Sequence, residues 1–368
     1  MLLFTADWHV SRSPLPWNPN PLLDISCAIK QICEIVLLKK PEYVFLGGDI
    51  TDRPSLFPDE IDTLVRFVEV CRKAGSQIVF VQGQHDRSPS VPILSVLDKE
   101  AVHLHNRMLH LGDGIVVAGL DFAYEGPKEF LNTQILFTHQ SWIRPDFPYG
   151  LISWRALPNY RLVLSGDFHS TMICTCPGLP PIVFSGALCP RKITEPKEAS
   201  VWLIKPPYTE QCAERIPLRT RPWVEIRVRP DTTHQGVVDQ VAEQLKQTGD
   251  LPREIAEPVI VLAYNEESEP TAHQIRKHFL HYEYLVMRPI RERTHSMMQM
   301  SLLPETVDQS KSVLDLFLEM YQDDPRYQDI VTLVKAANSE DVRNILSRIV
   351  ERVLNEINQS ESVLLPEA

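Results

Sequence analysis

The 368-residue sequence lacks the runs and clusters that mark several classes of protein. No uncharged apolar run reaches the roughly 18 residues that a membrane span requires. The first residues lead directly into an apolar segment that resembles a core strand, not a signal peptide. Cysteine is scarce, and its seven residues are an odd, dispersed set, which disfavours a disulfide scaffold. We therefore expect a protein of the reducing cytoplasm that makes no contact with membranes.

Positive charge is also in short supply. Lysine and arginine together number 37 against 48 acidic residues, and the formal net charge is -11. This balance excludes a passive basic coat for nucleic acid, so any site for a polyanion has to be local. Apolar residues make up 43% and charged residues 23% of the chain, as in ordinary folded proteins. The length predicts two or three domains.

Glycine is rare, with 14 residues, yet several glycines directly follow short apolar runs: Gly47, Gly48, Gly83 and Gly166. Such placements mark sharp turns or close approach to a ligand. The first two hundred residues alternate β-branched runs with amphipathic segments, which predicts an α/β sheet. The predicted strands are 2–6, 43–46, 77–81, 115–119, 134–138 and 161–165. The predicted helices are 22–39 and 61–73.

The pattern changes twice further along the chain. Residues 205–222 are rich in proline and arginine, which indicates a connection between domains. Strands and helices then alternate as β-α-β-α-β up to residue 287, and beyond Leu303 only helical periodicity remains. We expect three units, 1–205, 206–300 and 301–368. An apolar stripe over 342–357 either packs within the helical tail or binds a partner helix.

Carboxylate, imidazole and amide side chains follow five of the six predicted strands. Loops at the carboxyl ends of sheet strands converge on one crevice. Mixed oxygen and nitrogen ligands without thiolate suit manganese, iron or zinc. Because the candidates exceed one coordination sphere, the sequence predicts two ions. The seven candidate ligands are Asp7, His9, Asp49, Gln84, His139, Asp167 and His169.

The order of these segments resembles that of the calcineurin-like metallophosphoesterases: Asp-x-His, Gly-Asp-x-x-Asp, Gly-Asn-His-Asp, His, Gly-His-x-His. The closer resemblance is to the SbcD family of nuclease subunits. It rests on the segment 5–9, the turn 184–186, and the segments 223–226 and 285–288. The resemblance implies a sandwich of two mixed sheets flanked by helices, with a small α+β capping domain and a helical C-terminal tail.

The resemblance also implies roles for single residues. One metal ion would be held by Asp7, His9, Asp49 and His169, and the other by Asp49, Gln84, His139 and Asp167. Manganese is the expected ion, with magnesium as the alternative. His85 would stabilise the charge on the phosphorus or protonate the leaving sugar oxygen, and Asp52 would orient His85. Asp86 and Asp52 are candidates to hydrogen-bond the outer nitrogens of the ligand histidines.

Two positions depart from the family pattern. Gln84 replaces the usual asparagine with a side chain that is one methylene longer. Asp167 stands where the first histidine of Gly-His-x-His belongs and adds negative charge, which favours manganese or magnesium. A weakened second metal site is the alternative interpretation.

The implied partners are DNA, a coiled-coil ATPase of the SbcC type and a second copy of the chain. Trp17 would stack on a base above the site or lie in a stiff surface loop. Arg227 and Arg229 would contact phosphates or form a solvated face. The C-terminal helices would bind the ATPase.

The resulting hypothesis is a DNA end-processing exonuclease, with possible endonuclease activity, that works in repair or recombination. It would act at the nucleoid, or in the host cytoplasm if the protein is viral. Two alternatives stay open: a phosphodiesterase or phosphatase for small substrates, and a catalytically weak scaffold subunit.

Overall fold

The structure is a computed structural model that describes residues 1–290 apart from 88–90, 113, 126–129, 145–146, 148–149, 247–252 and 256. Its strands in chain order are β1 (Leu2–Thr5), β2 (Tyr43–Gly47), β3 (Gln77–Val81), β4 (Val102–His103), β5 (Arg107–His110), β6 (Val116–Leu120), β7 (Ile135–His139), β8 (Trp142–Ile143), β9 (Ile152–Ser153), β10 (Leu162–Gly166), β11 (Met172–Cys174), β12 (Ile182–Phe184), β13 (Ala199–Ile204), β14 (Ala213–Leu218), β15 (Trp223–Arg227), β16 (Val259–Tyr264) and β17 (Leu285–Pro289). The α-helices are α1 (Pro21–Lys39), α2 (Pro58–Ala74), α3 (Ile93–Leu97), α4 (His234–Leu245) and α5 (Glu269–His278).

Two six-stranded mixed sheets form the main body. The first has the spatial order β14-β13-β1-β2-β3-β4, and the second has the order β11-β12-β10-β7-β6-β5. In the first sheet β1 to β4 run parallel to one another, and in the second β6, β7, β10 and β12 do so. Antiparallel strands close the remaining edges of both sheets. Each sheet therefore presents a row of parallel carboxyl ends.

The two sheets pack face to face through large apolar side chains. Phe4 and Phe45 from the first sheet meet Phe137 from the second in one buried cluster. The opposite face of the first sheet is covered by α1 and α2, whose buried residues join Leu3, Val44 and neighbouring strand residues. The fold is therefore the α/β sandwich of two mixed sheets flanked by helices, as expected from the resemblance.

The sequence of α1 explains why this segment is a helix packed on the first sheet. Ile25, Ile29, Ile32 and Val36 recur on one face and are buried, as a helix packed on a sheet requires. The helix stops at Lys40, whose φ of 47° is left-handed, and Pro41 follows. None of the helices in the described ranges is both long and apolar enough to span a membrane.

A third sheet contains the parallel strands β15-β16-β17. One of its faces packs against α4 and α5 through residues such as Ile226, Leu262 and Ile275. From the other face, Val259 and Val261 join the cluster that α1 and α2 form on the first sheet. Residues Met1–Ile290 make up one compact unit.

Most of the predicted strands and helices are present within one to three residues of their expected ends. One expectation needs correction. The segment 205–222 is not a plain connection, because β14 pairs antiparallel with β13 at the edge of the first sheet. The division into units 1–205, 206–300 and 301–368 stays a prediction. The tail 301–368, with its stripe over 342–357, lies outside the described residues.

Candidate metal centre

The predicted ligands follow the carboxyl ends of parallel strands in both sheets. Asp7 and His9 follow β1, Asp49 follows β2, and Gln84 follows β3. In the second sheet His139 ends β7, and Asp167 and His169 follow β10. The two rows meet where the Nδ1 of His139 lies 2.7 Å from the carbonyl oxygen of Gly47. Both sheets therefore contribute ligands to one place.

Four of these residues have an unusual backbone conformation. Asp7, His9, Asp49 and Asp167 have φ values of 54°, 48°, 48° and 78°. Residues other than glycine rarely adopt such left-handed φ values, and each such conformation costs on the order of 1 kcal/mol or more. Clusters of such residues occur at sites where function fixes the backbone. The sharp turns point the carboxylates and imidazoles inward.

The first ligand set contains Asp7, His9 and His169. The Nε2 atoms of the two histidines are 3.3 Å apart, and the Nε2 of His169 is 3.9 Å from Asp7 Oδ1. Two nitrogens that each lie about 2.1 Å from one ion are about 3.0 to 3.4 Å apart. These three residues can therefore bind the same cation.

The second ligand set surrounds His139. Its Nε2 is 3.4 Å from Asp49 Oδ2 and 3.9 Å from both Asp7 Oδ1 and Asp167 Oδ1. Gln84 donates from Nε2 to Asp167 Oδ1 at 3.1 Å, which brings the amide to this side of the site. Asp49 Oδ2 is also 3.9 Å from the Nε2 of His9, so Asp49 adjoins both sets. Asp7 likewise lies near both, a proximity that the sequence did not indicate.

Several ligand atoms are buried without a hydrogen-bond partner among the described residues: Asp7 Oδ2, Asp49 Oδ2, Gln84 Oε1 and His139 Nε2. Buried polar atoms are nearly always satisfied, and each exception needs an explanation. All four can offer a lone pair and belong to the same cluster of residues, and lone pairs of this kind are what divalent cations require. The residues present therefore fit metal ions.

The outer nitrogens of two ligand histidines are held by protein acceptors. Nδ1 of His139 donates to the Gly47 carbonyl, and Nδ1 of His169 faces Glu195 Oε2 at 3.2 Å. Such contacts fix the tautomer and leave Nε2 free for a metal ion. The sequence did not identify Glu195, because it lies outside the five motif segments and carries no spacing signal. Asp86 accepts from the Gly83 backbone N–H at 3.2 Å and closes that turn.

His85 lies beside the ligands, and its side chain is 39% exposed. Its backbone N–H donates to Asp49 Oδ1 at 2.8 Å, and its Nδ1 donates to the Asp52 carbonyl at 3.1 Å. Nε2 is left facing the site, 4.0 Å from Asp49 Oδ2. The Asp52 carboxylate is 3.5 Å from Nδ1 of His85 and 3.6 Å from Nδ1 of His9. Asp52 therefore contacts His85 mainly through its backbone.

Burial and mutual charge shift the pKa of nearly every group in the site. Burial raises the pKa of Asp7 to about 6 and that of Asp86 to about 7, and it lowers the pKa of His9 to about 4. Burial acts against the charged form of His169 too, but the Glu195 carboxylate outweighs it and raises this pKa to about 9. The pKa of Glu195 falls to about 2 because its pairing with His169 outweighs burial.

Burial and mutual charge also shift the pKa values of the buried pair Asp49 and His139. Burial opposes charge on both Asp49 and His139, yet their attraction keeps the pKa of Asp49 below its usual range and that of His139 well above it. The carboxylates therefore create a negative potential around His139. A divalent cation would be attracted by that potential.

The three residues proposed to contact DNA differ in exposure. Trp17 lies in a loop whose neighbouring residues are mostly exposed, but its own side chain is only 1% exposed and packs against Trp223 with ring centroids 4.7 Å apart. Its indole is therefore not presented to a base. Arg227 and Arg229 are exposed at the end of β15, where they line a cavity of about 300 Å³ with Asn265.

Comparisons with known proteins find only distant similarity. No known family model matches the chain, and no curated protein does. Among solved structures, the chain is similar to Vps29 from Chaetomium thermophilum at 12% identity and a TM-score of 0.30, over 60% of this chain and 98% of that one. It is similar to the 5'-nucleotidase from Candida albicans SC5314 at 10% identity and a TM-score of 0.30, over 76% of this chain and 57% of that one.

A third similarity is to a glutamine-dependent NAD(+) synthetase from Cytophaga hutchinsonii, at 10% identity and a TM-score of 0.25, over 95% of this chain and 73% of that one. TM-scores this low carry no weight for the assignment of an activity. The function proposed below is therefore based on the residues of the chain itself.

Proposed function

We propose that the chain is a metal-dependent phosphodiesterase that hydrolyses DNA at its ends, in the manner of an SbcD-like nuclease subunit. The supporting observation is the position of Asp49, whose Oδ2 lies 3.4 Å from Nε2 of His139 and 3.9 Å from Nε2 of His9. A carboxylate shared by two ligand sets is the arrangement that a pair of divalent ions needs. Manganese is the proposed ion, with magnesium as the alternative.

Two bound ions would supply a nucleophile at neutral pH and neutralise charge on the phosphate. Asp49 and the ligand histidines would hold the ions, and the outer contacts of His139 and His169 keep their Nε2 atoms aimed inward. His85 has its Nδ1 proton committed to the Asp52 carbonyl. In the doubly protonated imidazolium form, its Nε2–H would be the group available to protonate the leaving oxygen or to stabilise charge on the phosphate.

Departures from the family pattern do not remove donor atoms from the second ligand set. The Nε2 of Gln84 binds Asp167, and its Oε1 stays without a hydrogen-bond partner among the described residues. The longer side chain thus keeps a free amide oxygen for a cation. Both substituted residues therefore lie in the site and still offer oxygen atoms to a cation. This argues against the weak-scaffold alternative.

The test is hydrolysis of linear duplex DNA labelled at each end, with Mn²⁺, with Mg²⁺ and with a chelator. We expect Mn²⁺-dependent release of nucleotides, and loss of that release in Asp49→Ala. Bis(p-nitrophenyl) phosphate serves as the small diester. Cleavage of this diester without cleavage of DNA would favour the small-substrate alternative. Absence of both activities at saturating Mn²⁺ would contradict the proposal.

The proposed partners follow from the same resemblance. We propose that residues 301–368 bind a coiled-coil ATPase of the SbcC type, that two copies of the chain associate, and that the complex acts in the cytoplasm on DNA in repair or recombination. Arg227 and Arg229 are proposed phosphate contacts. Co-expression with the ATPase tests the assignment. The full chain should elute with the ATPase from a sizing column, and a chain that ends at Leu303 should not.

A further inference from the structure

The segment from Arg191 to Lys197 lies outside every motif that the sequence indicated, yet it reaches the metal centre from two directions. Glu195 Oε2 lies 3.2 Å from Nδ1 of the ligand His169. Nη1 of Arg191 lies 2.7 Å from Asp52 Oδ1. We call residues 191–197 the brace segment. It contacts the outer side of the site and leaves the inward-facing nitrogens free.

Each end of the brace segment affects different imidazoles. Glu195 holds the outer nitrogen of His169, so it sets the direction of the Nε2 that meets His9 Nε2 at 3.3 Å. Arg191 holds the Asp52 carboxylate, which lies 3.6 Å from Nδ1 of His9 and 3.5 Å from Nδ1 of His85. Outer partners of this kind typically change metal affinity 10- to 100-fold when they are removed.

The contact of Glu195 with His169 and that of Arg191 with Asp52 are connected by a hydrogen bond within the brace segment. The backbone N–H of Arg191 donates to Glu195 Oε2 at 2.6 Å, the same oxygen that faces His169. The segment therefore closes on itself between its two contacts with the site. A shift of the Glu195 carboxylate would displace Arg191 as well.

Lys197 stabilises the conformation of the brace segment. Its ammonium group donates to the carbonyl oxygens of Ile193 and Glu195, so it binds the backbone on both sides of Thr194. The same ammonium lies 4.2 Å from the ring centroid of Trp223, a distance at which a cation is attracted to an aromatic face. Trp223 is the first residue of β15 in the third sheet and packs on Trp17.

We infer that Arg191 and Glu195 are positioning residues of the metal centre, and that Lys197 is the contact through which Trp223 of the third sheet fixes them. The inference rests on the proposed function, because it requires that the ligand histidines bind cations. It adds that the third sheet helps to set the affinity of the ion held by His9 and His169. The outer nitrogen of His139 is held by Gly47 and not by the brace segment, so the ion that His139 would hold should depend on the segment less.

The test is calorimetric titration of the full chain with Mn²⁺, together with the visible spectrum of the Co²⁺ form. The variants are Glu195→Gln, Lys197→Met and Lys197→Arg. Lys205→Met is the matched control, because Lys205 is 59% exposed and pairs with Glu214 at 3.6 Å away from these contacts. All titrations are made well below the unfolding temperature of each variant.

We expect two ions for the unaltered chain. Glu195→Gln and Lys197→Met should weaken one ion about 10- to 100-fold and alter the Co²⁺ spectrum, while the second ion binds as before. Lys197→Arg keeps a donor and a cation over the ring, so it should recover most of the affinity. Lys205→Met should behave as the unaltered chain. A role confined to stability would leave ion affinity unchanged in the folded variants.

Unchanged affinity for both ions in Glu195→Gln and Lys197→Met would overturn the inference and leave the proposed function intact. If Lys197→Met does not fold, Trp223→Leu removes the ring instead, and the same two results decide. An unaltered chain that binds no divalent ion would overturn the proposed function itself, and the inference with it.

Discussion

At the residue scale, the site is defined by atoms that have no partner within the described chain. Asp7 Oδ2, Asp49 Oδ2, Gln84 Oε1 and His139 Nε2 are buried and unpaired, and each would destabilise the fold by about 1 to 3 kcal/mol if it stayed so. The two proposed cations would satisfy all of them. His85 differs from the proposed ligands in that its side chain is 39% exposed, although it lies close enough to His9 and Asp49 to join a candidate cluster.

The first prediction concerns His85. His85→Asn should lower the turnover of a phosphodiester substrate about 100- to 10,000-fold, because it removes a proton donor beside the phosphate. Mn²⁺ stoichiometry should not change, since the proposed ligands remain. Turnover and calorimetric titration of the same preparation provide the check. His273→Ala is the control, as His273 is half exposed on α5, pairs with Glu269 and contacts the ring of Tyr264, outside the proposed site. Full turnover in His85→Asn would rule out the assigned role.

The predicted ligands lie close together because each sits in a short motif at a strand end, and their role as ligands stays a prediction. Outer residues could not be predicted in this way. Glu195 and Arg191 reach the site through a loop whose path depends on Lys197 and Trp223, and no spacing in the sequence encodes that path. The burial of the Trp17 side chain could not be predicted, because its loop is rich in proline and mostly exposed, whereas the indole itself packs against Trp223.

At the element scale, function depends on how closely the turns after the parallel strands approach one another. A Cβ on Gly83, after β3, would lie 2.0 Å from Asp49 Oδ1 and 2.6 Å from the Asp49 backbone nitrogen. No side chain fits there.

The edge strand β14 was hard to predict from the sequence. Glu214 and Arg215 are exposed and Pro217 interrupts the apolar pattern, as edge strands allow.

Gly83→Ala is therefore expected to displace Asp49 and to abolish binding of both ions. Overpacking of this kind should also lower the free energy of unfolding by about 1 to 3 kcal/mol. Mn²⁺ titration and thermal unfolding measure the two effects. Gly112→Ala provides the control, because a Cβ there meets no atom of the described residues within 4 Å. Two tightly bound ions in Gly83→Ala would be incompatible with the described turn.

At the scale of the whole molecule, a buried ion pair joins the start of the third sheet to α1, the helix that covers the first sheet. Arg221, just before β15, donates from Nε and Nη2 to the Asp24 carboxylate of α1, with distances from 2.6 to 3.1 Å. Asn18 donates to the same carboxylate at 2.7 Å, and the guanidinium lies 4.0 Å from the Tyr284 ring centroid. The pair is nearly fully buried.

Asp24→Ala should lower the free energy of unfolding by about 3 to 5 kcal/mol, because it leaves the Arg221 charge buried without a counterion. Denaturant unfolding measures the loss. The control is Asp62→Ala, which breaks the exposed pair with Arg66 on α2 at 2.7 Å and should change stability by no more than about 1 kcal/mol. Equal effects of the two substitutions would show that the buried pair does not hold the third sheet in place.

Anomalous diffraction from crystals soaked in Mn²⁺ tests the central claim most directly. The account predicts two anomalous peaks in the pocket, both in contact with Asp49, one also bound by His9 and His169 and the other by His139. A pocket with no anomalous peak at saturating Mn²⁺, or peaks bound by other residues, would contradict it.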